Sequence, residues 1–321
     1  MSLRLNREWP SLIALIGLCI FIAFAAPRFY EPGNLRDLAL ANASVLLVST
    51  GMTLVIVVAQ IDISVGSMFA VVSVACGVLA KLGVPILLLP VLAILIGCVF
   101  GALNGALVSF VKAPSIVVTL ATMVAWREAL RWITGGAWVE GLPTHFQWFG
   151  LGQGNGQALI VLASLFIFGL LWWGSENWVA LRAVYATGSD TEAAKLAGIS
   201  TTRVVFWVFV LIGALTGIAS LLNAVRFSDV PANSGINLEL EAIAAVVVGG
   251  TPITGGRGSL LGTFIGVLLL GCIGPALIFL GINPYWEKAI QGAIILLTVV
   301  LEAVGKGVGK SLAPTAALNK T

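Results

Sequence analysis

The chain has 321 residues, 59% of them hydrophobic and only 10% charged, with 17 Lys and Arg against 14 Asp and Glu for a formal net charge of +3. The charged share is well under half the ~25% usual in soluble domains, and uncharged runs of about 18 or more residues recur, each a candidate membrane span. This excludes an ordinary soluble domain, and so small a positive charge points away from nucleic acid and toward basic residues that orient a chain in a bilayer.

In chain order, residues 1–8 carry Arg4 and Arg7, and an apolar run covers 9–26. Its charged start and its Ala25-Ala26 end resemble a secretory signal. The run is long for one and further spans follow, so it is expected to stay as the first helix. Residues 27–37 form a polar linker. The second span is 38–59, Gln60-Ile61-Asp62-Ile63-Ser64 interrupts the apolar run, and 64–80 resumes as the third. The fourth, 86–110, carries Gly97, Gly101 and Gly105, four apart on one face, the small-residue pattern by which helices pack closely in lipid. The fifth is 115–133. The stretch 134–156 contains no Lys or Arg and holds Trp138, Phe146, Trp148 and Phe149, so it is expected as an external loop with an interfacial aromatic rim. The sixth span, 157–173, ends in Trp172-Trp173, and a polar island over 174–203 carries Arg182, Lys195 and Arg203. The seventh span is 204–225, and 226–238 is a loop with Pro231 and Asn233. Residues 240–250 reach only about half a bilayer, which leaves a short, tilted or re-entrant segment. A glycine-rich stretch over 249–258 leads into a span at 259–280, bent at Gly274-Pro275. The last span is 285–304, and Lys306, Lys310 and Lys320 mark a tail over 305–321.

The expected fold is therefore all-α: a polytopic membrane protein of about ten transmembrane helices. It forms a single domain over 1–321, with a membrane core at 9–304. Both termini, the turn at Lys112 and the 174–203 island are basic, whereas 134–156 is not. The excess of Lys and Arg on cytoplasmic loops places the first four inside and the last outside, which five spans before residue 134 and ten overall satisfy. Arg28, Arg36, Lys81 and Arg226 fall on the other side, so the bias is a tendency. Two stretches also run alike. Val57-Val58, a polar break and Gly66-Ser67 compare with Val247-Val248, a glycine stretch and Gly258-Ser259. Interrupted helices in corresponding positions mark the pathway in transporters built from two related halves; chance similarity is the alternative.

The polar island holds the segment of greatest interest. Ser189 followed by Glu192 reads as a capping box, and Gly198 reads as a stop in the left-handed conformation. A helix of two turns is marginal alone, so it is either an ordinary loop helix or one that docks on a partner. Ala193, Ala194 and Ala197 would give it a face with almost no side chain. Within the membrane region Asp62 is either part of a polar path with Ser64, since a carboxylate there is costly unless paired or wet, or a turn residue that caps a helix. Glu128 and Arg131 are spaced to pair, and Arg127, Glu128 and Arg131 together are expected to snorkel to the outer interface beside Trp126 and Trp132. Glu239 and Glu241 suit the N-terminus of a short helix.

Catalytic chemistry is poorly supplied. Cys19, Cys76, Cys98 and Cys272 all lie in apolar runs without Cys-x-x-Cys spacing, and His145 is the one histidine. Neither a disulfide framework nor a metal site is expected, and no nucleophile triad is credible; no cofactor is expected. Gly307-Val308-Gly309-Lys310-Ser311 looks like the end of a phosphate loop, but the first glycine of that motif would fall at Val304. The chain is expected not to be an enzyme, and any ATP hydrolysis must come from another chain.

Glu192-Ala193-Ala194-Lys195-Leu196-Ala197-Gly198 matches the Glu-Ala-Ala-x-x-x-Gly loop of ATP-binding-cassette importer permeases. Together with Arg182 through Ser189, Ile61-Asp62-Ile63-Ser64-Val65-Gly66-Ser67, Asn104-Gly105, and Val248-Gly249-Gly250-Thr251 through Ser259, it resembles the ribose-type sugar permease family over about residues 10–304. Thr134 through Pro143 looks closest to the autoinducer-2 and rhamnose-type members. The resemblance implies the membrane subunit of a bacterial inner-membrane importer with cytoplasmic termini. Two permease copies or homologues form a path, cytosolic ATPases bind the inner loops, and a periplasmic binding protein delivers a sugar. Carried over by position, Ser189, Glu192, Ala193, Ala194 and Gly198 belong to the coupling helix that sits in an ATPase cleft. Gln60, Asp62, Ser64, Gly66, Asn104, Gly249 and Gly250 are candidates for the translocation path. Many members have two glycines before the Ile-Asp pair, where this chain has Ala59-Gln60; Gln60 then bears on close backbone approach or on specificity. The competing class is an ion-gradient-driven transporter or channel, motivated by Asp62 and the half-repeat.

Overall fold

The structure, a computed structural model, describes residues 5–311. Twelve α-helices follow in order among them: α1 (Leu5–Ala25), α2 (Pro32–Val57), α3 (Val65–Lys81), α4 (Leu89–Ser109), α5 (Ser115–Thr134), α6 (Gln153–Asn177), α7 (Val179–Ser189), α8 (Thr191–Leu196), α9 (Thr201–Ala224), α10 (Leu238–Val248), α11 (Leu260–Phe279) and α12 (Trp286–Ser311). The described residues contain no β-strand, only an isolated bridge between Val139 and Val230. Helices α1, α2, α4, α6, α9 and α11 are long and apolar enough to cross a membrane. Helix α3 has 17 residues and α10 has 11, and the apolar surface of α5 is broken by Arg127, Glu128 and Arg131.

Helix α2 is the central post. Every residue from 46 to 58 is buried, and it packs on α6, α9, α10 and α11. An apolar helix with no polar face can be stable only when surrounded, and most of the hydroxyls on α2 find a partner inside the bundle, the buried Ser49 hydroxyl being left without one. Thr50 Oγ1 donates to the Leu46 carbonyl at 2.6 Å, and the Thr53 hydroxyl lies 2.6 Å from that of Thr263 on α11. Helix α1 is the opposite case. It packs on α11 and leaves Ile13, Ile16, Ile20, Phe21 and Phe24 exposed, an apolar face too large to stand in water and suited to lipid.

The glycine stripe of α4 finds its partner in α9, and the match is reciprocal. A Cβ added at Gly97 would fall 2.9 Å from the Gly213 carbonyl carbon, and one at Gly213 would fall 3.0 Å from that of Gly97. One at Gly101 would lie 3.1 Å from the Phe209 carbonyl carbon, and one at Gly217 would lie 2.9 Å from that of Ala93. These are backbone-to-backbone approaches that no side chain can enter. The α9 half of the stripe, Gly213 and Gly217, has the same spacing of four as the α4 half.

Several expectations are corrected. The 174–203 island is not a loop with one helix: α6 continues to Asn177, and α7 precedes α8. Leu181, Val184 and Thr187 form the buried face of α7, an amphipathic stripe at spacing three that supports a helix. The aromatic rim of 134–156 is largely folded inward. Phe146 is fully buried, and the Trp148 N–H donates to the Val225 carbonyl at 2.7 Å; Trp138 alone of the four remains exposed. Arg127 does not snorkel but is half-buried, with Nη1 donating to the Ser234 carbonyl at 2.9 Å, because the 226–237 loop brings an unpaired carbonyl within reach. The Glu128–Arg131 pair does form, at 2.8 Å and exposed. Helix α11 carries Pro275 inside it, as expected for that span. Residues 305–311 continue α12, so the glycine-lysine stretch at the start of the expected tail is helical. Arg4, Lys320 and the rest of 312–321 lie outside the described residues.

Candidate functional site

Helix α8 is six residues long and stands on defined caps at both ends. At its start the Asp190 carboxylate accepts from the backbone N–H groups of Glu192 and Ala193, each at 3.0 Å. This corrects the expected capping box: Ser189 is the last residue of α7, and its hydroxyl turns away to donate to the Gly256 carbonyl at 2.8 Å. Asp190 prevails because an Asp in extended conformation directly before the helix can satisfy two orphan donors at once. At its end Gly198, at φ +83°, donates to the Lys195 carbonyl at 2.9 Å, and Ile199 donates to that of Ala194 at 3.0 Å. This is a Schellman closure, as Gly198 led one to expect.

The expected alanine face is split. Ala194 is buried, whereas Ala193 and Ala197 are exposed, and Leu196 projects with 91% of its surface free. Glu192 pairs with Lys195 at 2.7 Å on the outer surface, with side chains 79% and 51% exposed; such a pair contributes under about 1 kcal/mol. What α8 presents is an isolated leucine between two alanines, beside a charged edge.

Behind α8 three segments meet. Helices α2 and α10 end by the same device. In α2 the N–H of Ala59 bonds the Ile56 carbonyl at 2.8 Å, and that of Gln60 bonds Val55 at 3.0 Å. In α10 the N–H of Gly250 bonds Val247 at 2.9 Å, and that of Thr251 bonds Val246 at 3.1 Å. Both are Schellman closures with the turning residue in the left-handed region, at φ +58° for Ala59 and +89° for Gly250. Ala59 therefore holds a conformation that costs a non-glycine residue about 1–2 kcal/mol. The absent glycine is felt at 59 rather than at Gln60, which is half-buried and follows the turn. The loop after α10 then returns to the end of α2. The Gly256 N–H donates to the Val57 carbonyl at 2.8 Å, and a Cβ at Gly255 would fall 2.8 Å from the Ala59 Cβ. Gly188, at the end of α7, lies against the same place: a Cβ there would fall 2.8 Å from the Val57 carbonyl carbon and closer still to its oxygen.

The remaining path candidates divide. Asp62, Ser64 and Asn104 come together in a fully buried cluster. Asp62 Oδ1 accepts from the Ser64 N–H at 2.9 Å and from the Ser64 hydroxyl at 2.6 Å, and Asn104 Nδ2 donates to Ser64 Oγ at 2.8 Å. Ser115 Oγ accepts from the Ile61 N–H at 3.2 Å, so the 58–64 break is bound to α4 and α5. Asp62 is thus neither a surface turn nor open to solvent within this chain. Gly66 is buried where the loop before α10 crosses α3, and a Cβ added to it would run into the Glu239 carboxylate and the Gly235 carbonyl oxygen. Gly249 is pressed against α11, a Cβ on it falling 2.7 Å from the Thr263 nitrogen. Gly250 sits half-buried at the end of α10. Sequence reasoning missed Asp190, Gly188 and Gly256 as parts of this site. Asp190 was legible, since Asp ranks with Ser as an N-cap; nothing in the local pattern marks the long-range approach of Gly188 to Val57.

The comparisons with known proteins agree with this architecture. The family described as "Branched-chain amino acid transport system / permease component" matches residues 34–299. The chain is 31% identical over 299 residues to the ribose import permease protein RbsC of Escherichia coli K12, covering 92% of this chain and 93% of that protein. It is 36% identical over 296 residues to the RbsC of Bacillus subtilis 168, covering 90% and 91%. It is 31% identical over 301 residues to the autoinducer 2 import system permease protein LsrC of Enterobacter sp. 638, covering 94% and 88%. No solved structure matches. Six bilayer-length apolar helices, and a match to the permease component that runs nearly end to end, make the chain a multi-pass membrane transport protein and a member of the ribose-type branch of this ATP-binding-cassette permease family.

Proposed function

We propose that the chain is the membrane-spanning subunit of an ATP-driven importer for a monosaccharide or sugar-like molecule, with α8 as the helix through which a cytosolic ATPase acts. The observation that carries this is α8 itself: six residues capped at both ends and projecting Leu196, with 91% of its surface free, between Ala193 and Ala197. A helix so short is stable only with caps and a partner, and an apolar knob flanked by alanines fits a shallow cleft. The relatives named as ribose and autoinducer-2 import permeases supply the substrate class.

In this reading about ten membrane helices, α7 and α8 aside, are arranged as two pseudo-related halves. The matching Schellman ends of α2 and α10, each followed by a break and a new helix, support that relation. Both termini and α8 face the cytoplasm of a bacterial inner membrane. A second permease copy or homologue completes the path, and a periplasmic binding protein delivers the sugar. Asp62, which motivated an ion-coupled alternative, shapes the entry to α3 through Oδ1 while its buried Oδ2 has no partner; the match to import permeases over most of the chain is what favours the ATP-driven reading. The test is reconstitution in liposomes with the ATPase and binding-protein partners, ATP on the α8 side and labelled ribose or autoinducer-2 as probe. ATP-dependent uptake that is lost on deleting 191–196 supports the proposal. Uptake driven by an ion gradient without the ATPase overturns it.

A further inference from the structure

Gly256 sits between two helices and divides its peptide groups between them. Its N–H donates to the Val57 carbonyl at 2.8 Å, and its C=O accepts from the Ser189 hydroxyl at 2.8 Å. Val57 is the last residue of α2, so its carbonyl is one of those a helix leaves without an internal partner. Ser189 is the last residue of α7 and adjoins Asp190, the cap of α8. Gly256 lies in the loop between α10 and α11. One residue thereby ties together the end of α2, the α10–α11 loop and the root of α8.

The contacts around it leave little slack. Gly188 touches the Val57 carbonyl on one side, and a Cβ on it would fall 3.2 Å from the Gly256 nitrogen on the other. Gly256 itself, at φ +83°, would place a Cβ 3.1 Å from the Gly188 carbonyl oxygen. Gly258 is equally tight, a Cβ there falling 2.8 Å from Val57 Cγ2 and 2.9 Å from Thr251 Cγ2. Close-packed backbones transmit displacement and do not absorb it. A shift of α7 and α8 must carry the 255–258 loop with it, and through the Gly256–Val57 bond the end of α2. The two helix ends that share a Schellman closure, α2 and α10, then move as one.

Resting on the reading of α8 as the coupling helix, we propose that Gly188, Ser189 and Gly256 form a pin that links α8 to both broken-helix segments. They are positioning residues: they touch neither sugar nor nucleotide and set how much displacement of α8 reaches the bundle. The pin predicts uncoupling, not loss of assembly. Removing the Ser189 hydroxyl forfeits one exposed hydrogen bond, so Ser189→Ala should lower the sugar moved per ATP hydrolysed by about 2–10-fold. Ser189→Thr, which restores the donor, should bring the ratio back. Gly188→Ala, which forces the α7 and α2 backbones apart, should abolish uptake.

The test reconstitutes the full permease–ATPase–binding-protein complex with labelled ribose as probe. It reads uptake and phosphate release together, with co-purification of the ATPase and thermal melting in parallel. A lowered ratio in Ser189→Ala, restored in Ser189→Thr, with assembly and melting as in the wild type, supports the pin. A wild-type ratio in Ser189→Ala overturns it, as does a defect that Thr does not repair. If Gly188→Ala fails to accumulate, the Ser189 pair decides alone. Loss of uptake on deleting 191–196 alongside a normal Ser189→Ala sinks the pin and leaves the coupling helix standing; normal uptake after the deletion sinks the coupling helix itself.

Discussion

Replacing Asp190 by Ala removes the acceptor of two backbone hydrogen bonds, each 3.0 Å long, at the start of α8. Loss of an Asp N-cap costs about 1 kcal/mol, within a range of roughly 0.5–2, and the carboxylate also complements the helix dipole. In a long helix buried on one face that loss would be diluted. Helix α8 has six residues, Ala194 as its one buried residue, and an exposed Glu192–Lys195 pair of little worth. Nothing else in it absorbs the loss, so the folded population of α8 should fall about fivefold against its frayed forms. Amide exchange at Ala193, Ala194 and Ala197 should speed up by that factor, with the bundle's melting temperature unchanged. In the reconstituted complex, ATP-dependent uptake should drop in proportion. Asp190→Asn keeps an acceptor oxygen and should retain most of both. Asp190→Ala with faster exchange and undiminished uptake would refute the claim that an ordered α8 carries the drive.

Other expectations follow from the same geometry. Leu196→Glu should leave melting intact, since the side chain is 91% exposed, and should weaken co-purification of the ATPase more than tenfold; unchanged capture would remove α8 from the interface. Gly213→Leu drives a side chain into the Gly97 backbone and should cost about 1–3 kcal/mol or more, read as lost thermal stability; a wild-type melt would mean that α4 and α9 are not in contact. Ala59→Gly relieves a left-handed alanine at φ +58°. Weighing ~1–2 kcal/mol of relief against ~0.5–1 for glycine's backbone entropy, it should be neutral to mildly stabilising, and a clear loss of melting temperature would contradict the assigned turn. Asp62→Leu leaves the Ser64 N–H and hydroxyl without their acceptor and should destabilise by about 1–3 kcal/mol, with Asp62→Asn milder. Intact melting with altered transport would instead put Asp62 on the path.

The membrane helices were legible because lipid leaves the backbone few alternatives to helix, and the runs over 38–59, 86–110 and 259–280 announce themselves by length. The α4 stripe was legible too, from Gly97, Gly101 and Gly105. Its partner surface on α9 carries the same signal, since Gly213 and Gly217 repeat the spacing. Helix α8 was found from Gly198, a residue whose role is local, and its cap was misassigned because Ser189 and Asp190 are adjacent residues of nearly equal capping preference. Tertiary context decided between them: the Gly256 carbonyl captured the serine. Helix α7 was missed because its charged face was weighed and its stripe of Leu181, Val184 and Thr187 was not. Burial of Asp62 was out of reach, since it depends on Asn104 and Ser115 arriving from α4 and α5, and no local pattern encodes that meeting.

A single cysteine at position 196 in a cysteine-free background tests the central claim most directly. With a membrane-impermeant thiol reagent, the account predicts rapid labelling in inside-out vesicles, none in right-side-out vesicles, and protection when the ATPase is bound. Labelling from the outer side, or labelling that the ATPase leaves unchanged, would contradict it.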